Sequence, residues 1–163
     1  MRILVVIYSI AFCFLLVAAL VTAYVLSHPE LGLKETNPIT RACISNYGLI
    51  GGLVLVNLYN SAMILVFWPF FILYIVLRRK YDWNYILADA IAYSGIAAYG
   101  IYLLVSRALN AASDVSWLLV YSCPSVITAT WGFWENMTIY LMLAIFLGLF
   151  PIVYYSMRKE ESP

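Results

Sequence analysis

The sequence predicts an all-α integral membrane protein, a four-transmembrane-helix bundle, on three observations. The chain is 65% hydrophobic and 10% charged, against about 45–50% and 25% in soluble proteins. No charged residue occurs between Arg41 and Arg78, or from Ile3 to Ser27. A helix of about 20 apolar residues is enough to cross a hydrocarbon core about 30 Å thick. With 163 residues there is room for one membrane domain, residues 1–163, and for no separate soluble one.

Hydropathy and boundary residues place the four helices near 3–27, 48–77, 84–106 and 136–157, with an outer segment at 107–135. In the first, Val21-Thr22-Ala23 has the form of a signal-peptidase site. The apolar stretch is nevertheless longer than the roughly 7–15 residues of a signal h-region, so it is read as a span. The second helix is longer than a crossing needs and must tilt, kink or protrude. Pro69 in the second helix and Pro151 in the fourth should bend them, because proline removes one backbone hydrogen bond and clashes with the preceding turn. Tyr81, Trp83 and Tyr85 mark the start of the third helix, and Trp131 and Trp134 that of the fourth, where amphipathic rings suit the headgroup layer.

Residues 115–134 are also uncharged and admit a fifth span. Cys123-Pro124-Ser125 interrupts that stretch and five Ser or Thr residues dilute it. A fifth crossing would also move Arg158 and Lys159 outside. The four-helix arrangement gathers Arg2, Arg78, Arg79, Lys80, Arg158 and Lys159 on one side, leaving Lys34, Arg41 and Arg107 on the other. By the positive-inside rule both termini are then cytoplasmic, in a multi-pass protein of the cell membrane.

Lipid tails are as apolar as leucine, so helix association depends on close backbone approach and interhelical hydrogen bonds. Gly48 and Gly52 form a G-x-x-x-G pair on the second helix, and Ala90, Ser94 and Ala98 a small-residue stripe on the third. Both sets are read as packing faces, within the monomer or toward a partner. The polar residues inside the spans form the candidate functional group. Asp89 lies near the start of the third helix with Tyr93 one turn above it, and Asn57 and Asn60 lie three apart on the second. An intramembrane acid costs about 2.5–3.5 kcal/mol at the centre of a helix and so faces protein or water. Asp89 can serve a proton or cation site, or pair with Arg78, Arg79 or Lys80; the asparagines can bond between helices.

Outside the spans, His28, Glu30 and Glu35 supply one nitrogen and two carboxylates, yet at no recognised metal-site spacing. No metal or other cofactor is expected. A lone histidine also excludes a bis-histidine haem within one chain. There is no C-x-x-C motif. Cys43 and Cys123 fall on the same, outer side and form a candidate disulfide. The net charge of +1 gives no reason to expect nucleic acid.

At Glu35-Thr36-Asn37-Pro38 the chain resembles a group of small archaeal multi-pass membrane proteins of unknown function, which carry an E-x-N-P element shortly after their first span. The resemblance covers the chain to about residue 40. It implies a fold neighbourhood and an archaeal source, and it transfers no site residues.

The sequence thus favours a non-catalytic polytopic protein whose partners are the lipid bilayer and either other membrane subunits or itself. The alternative is a transporter or channel component built around Asp89, Asn57, Asn60 and Tyr93. A lipid-directed enzyme using His28, Glu30 and Glu35 is a third class. The absence of an internal repeat speaks against the second, and the third needs groups converging on one bond.

Overall fold

The computed structural model describes residues 2–31, 34–35, 37–81, 85–120 and 125–161, with side chains omitted at 117, 120, 125–139, 160 and 161. Among the described residues the regular structure is all helical. α1 spans Arg2–Ser27 and is followed by a 3₁₀ turn at Pro29–Leu31. α2 spans Pro38–Leu65, α3 Trp68–Tyr81, α4 Ile86–Val120 and α5 Ser125–Glu161. Four stretches are long and apolar enough to cross a membrane: Arg2–Ser27, Pro38–Tyr81, Ile86–Ser116 and Tyr140–Lys159.

α4 is the central element. Its largest interface is with α1, followed by α5, and α3 touches it only lightly. The α1 face is drawn from Leu4, Tyr8, Ala11 and Leu15, whose alternating spacing of four and three brings one stripe of a helix against a neighbour. Ile96, Tyr99 and Leu103 on α4 belong to the same core, together with Ile64 and Phe71. A Cβ on Gly100 would lie 2.6 Å from Tyr8 Cε2, so this glycine admits the Tyr8 ring. The Tyr8 hydroxyl donates to the Ile96 carbonyl at 3.0 Å, tying α1 to α4 within the apolar layer. Ala90, Ser94 and Ala98 are all essentially fully buried on α4.

α2 starts at Pro38, before the predicted start near 48, and its backbone is not helical at Gly48, where φ is 73° and ψ 171°. That region of backbone space is essentially reserved for glycine. Eight helical residues rise about 12 Å, yet a Cβ on Gly52 would sit 2.6 Å from Ile44 Cα. The stretch before Gly48 therefore folds sharply back on the stretch after it. This corrects the reading of Gly48 and Gly52 as two positions on one helical face: Gly48 makes the bend and Gly52 makes room for the returning backbone.

The E-x-N-P element acts as a start signal for α2. Asn37 Oδ1 accepts from the Ile39 N–H at 2.9 Å and the Thr40 N–H at 3.4 Å. Glu35 Oε1 accepts from the Asn37 N–H at 2.7 Å. Pro38 occupies the first helical position, where its missing N–H costs nothing. Asn37→Ala is expected to cost about 1 kcal/mol in unfolding measured in mixed micelles, the usual value of an N-cap.

Pro69 acts as predicted, and the chain breaks at Val66–Phe67 just ahead of it. Proline at 69 has no N–H to offer the carbonyl of Leu65. Next to the break the Tyr99 hydroxyl of α4 donates to the Met63 carbonyl.

Much of the segment 107–135, set apart from the four predicted helices, is itself helical. α4 runs through Arg107 to Val120 and α5 starts at Ser125. Ala108, Leu109, Ala111 and Ala112 are strong helix formers, and Pro124 is the first helix-stopping residue after Arg107. At 35 and 37 residues the two helices are each roughly 50 Å long at 1.5 Å per residue. Both outrun a hydrocarbon core of about 30 Å.

Candidate functional site

Asp89 occupies the first turn of α4, and Arg78, Arg79 and Lys80 the last turn of α3. An acid at a helix N-terminus and cations at a helix C-terminus both complement the backbone dipole. Arg78 Nη2 lies 2.6 Å from Asp89 Oδ2. The Tyr74 hydroxyl donates to the other carboxylate oxygen, Oδ1, also at 2.6 Å. Asp89 is 5% exposed, whereas the Arg78 side chain is 39% exposed. A buried carboxylate thus meets its compensating charge at the edge of the bundle. Both oxygens accept charge-assisted hydrogen bonds, about twice as strong as neutral ones.

Tyr93, predicted to share the Asp89 face, packs its ring edge-on against Phe71 at a centroid distance of 5.2 Å. It is half-buried and adjoins Tyr74 electrostatically. Phe71 also meets Trp68, which packs on Tyr8 at 5.2 Å. This aromatic chain joins α1, α3 and α4 next to the break at Val66–Phe67.

Asn57 and Asn60 do not join Asp89. Asn57 Nδ2 donates to the Leu53 carbonyl within its own helix at 2.9 Å, so it serves no interhelical bond there. Asn60 Oδ1 accepts from Arg107 Nη2 of α4 at 3.2 Å. Arg107 stands among Tyr59, Tyr99 and Tyr102. Further along α4, the half-buried Asp114 faces Thr22 of α1 and lies near Glu35. Apart from Asn57, the polar groups therefore form separate couples, each joining two elements.

Tyr74, Arg107, Asp114 and Thr22 were not singled out by sequence reasoning. The signal for Tyr74 was its position one turn before Arg78. For Arg107 it was a cation embedded in uninterrupted helix-forming sequence. Asp114 carried no comparable signal, because its partner is ninety-two positions away in sequence.

Two of the three loop residues considered for a metal have other roles. His28 Nδ1 lies 2.8 Å from the Tyr24 carbonyl and its ring rests on Tyr24 at 4.3 Å, closing the end of α1. Glu35 is engaged with Asn37. Among the described residues no three His, Cys, Asp or Glu side chains gather as metal ligands would. Cys43 is half-buried, and Cys123 lies outside the described residues. Compared with family models, curated proteins and solved structures, the chain matches none of them.

Proposed function

We propose that this chain is a non-catalytic, multi-pass protein of the cell membrane with both termini cytoplasmic, and that it works by associating with other membrane subunits or with itself. The observation that carries this reading is how the intramembrane polar groups are used. Asp89 is engaged by Arg78 and Tyr74, Asn60 by Arg107 and Asn57 by its own helix. None is left converging on a shared polar cavity, as a proton or cation path would require.

A second feature supports association. No residue of the α5 span Tyr140–Lys159 is buried within the chain, unlike those of α4. Phe146, Phe150 and Tyr154 stack along one side of it at centroid distances of 5.9 and 6.0 Å, while Leu147 is 67% exposed. Helices in lipid gain stability from tight packing rather than from leaving water. A span that packs on α4 yet has no fully buried residue offers its outer face to another helix.

A photo-crosslinking residue placed at Leu147 in native membranes tests this reading. The expected product is a protein adduct heavier than the monomer. Crosslinks to lipid alone would contradict it. The transporter alternative fails in parallel if proteoliposomes containing wild-type protein and Asp89→Asn pass the same small ion flux.

A further inference from the structure

Between α3, α4 and α5 lies an apolar groove of about 500 Å³, lined among others by Phe67, Phe71, Tyr74, Ile91, Gly95 and Phe146. Its size falls within the range of about 300–1,000 Å³ of small-molecule sites. Phe67, Phe71, Tyr74 and Arg78 follow one another at intervals of four, three and four, so Arg78 continues the α3 face that walls the groove. At that end Arg78 points one guanidinium nitrogen at Asp89, while its Nε is buried with no hydrogen-bond partner. Arg79 and Lys80 are exposed beside it. These three cations exceed Asp89 and the adjacent Asp82 by one charge; Asp82 itself lies outside the described residues.

An apolar trough that leads to a partly unsatisfied guanidinium and a positive helix end has the complementarity of one kind of molecule. We propose that the groove holds an acyl chain of an anionic phospholipid of the bilayer, with its phosphate at Arg78, Arg79 and Lys80. Guanidinium groups bind phosphate oxygens with directed N–H donors, and basic residues at a membrane surface attract anionic headgroups. Gly95 leaves the floor open, since a Cβ there would meet no atom within 4 Å. The inference rests on the membrane reading of the spans and not on association with other subunits.

Native mass spectrometry of the purified full chain, offered phosphatidylglycerol and phosphatidylcholine of identical acyl chains, tests it. Wild type is expected to retain one phosphatidylglycerol with about tenfold preference. Gly95→Leu, which fills the groove, should lose that lipid. Equal retention of both lipids, or unchanged retention by Gly95→Leu, would overturn the proposal. Should Gly95→Leu fail to fold, a phosphatidylglycerol with a diazirine in its acyl chain gives the answer on wild-type protein. Labelling confined to groove residues such as Phe67, Ile91 and Phe146 supports the site, and labelling spread over all exposed apolar positions overturns it.

Discussion

Arg78→Gln is expected to destabilise the protein by about 3–5 kcal/mol, the cost of leaving a buried charge without its partner. Asp89→Asn is expected to cost less, about 1.5–3 kcal/mol, the worth of hydrogen bonds to a charged group. The difference comes from where the two members stand. With Arg78 gone, the carboxylate of Asp89, 5% exposed, retains only the Tyr74 hydroxyl. With Asp89 neutralised, the Arg78 side chain, 39% exposed, can turn toward headgroups and water. Unfolding in mixed micelles, measured for both single variants and for the double variant, checks this order. The double variant should be more stable than Arg78→Gln alone, because it leaves no orphaned carboxylate.

Gly52→Val should carry the second large effect. The first atom of any side chain at 52 would stand 2.6 Å from Ile44 N and Cα and 2.7 Å from the Cys43 carbonyl carbon. Those atoms are backbone, so relief requires opening the bend at Gly48 rather than turning a side chain. Overpacking of this kind costs about 1–3 kcal/mol or more. Gly148 provides the control, since a Cβ there meets nothing within 4 Å. Gly148→Ala should leave the midpoint of thermal unfolding in detergent unchanged or raise it slightly, while Gly52→Val lowers it by several degrees.

The contrast between these glycines shows what a single sequence can and cannot convey. Gly48 and Gly52 were visible as a small-residue pair, but two glycines four apart read the same whether the helix continues or folds back. The difference is a dihedral angle. The long apolar helices themselves were legible, because charge is scarce over stretches as long as a crossing needs. Which face of each helix meets another was not, since exposed Leu20 and core-facing Leu15 are equally apolar. Burial against protein leaves no mark on composition there.

Asp89 shows the same limit at the candidate site. The sequence supplied Arg78 as one of three adjacent cations able to neutralise it, and that pairing is present. Tyr74 as the second partner depended on the angle between α3 and α4, which no local pattern encodes. Arg107 was read as lying outside the third span because a cation ordinarily marks a boundary. The helix itself does not stop there: α4 continues past Arg107, which Asn60 and the surrounding tyrosines receive.

The central claim is that these polar couples hold the bundle together and that the protein acts through association. The mass of the wild-type chain, excised from native membranes in lipid nanodiscs without detergent, tests it most directly. The account predicts particles containing a second copy or another membrane subunit beside the 18.5 kDa chain. Particles holding one copy, with no other protein, would contradict it.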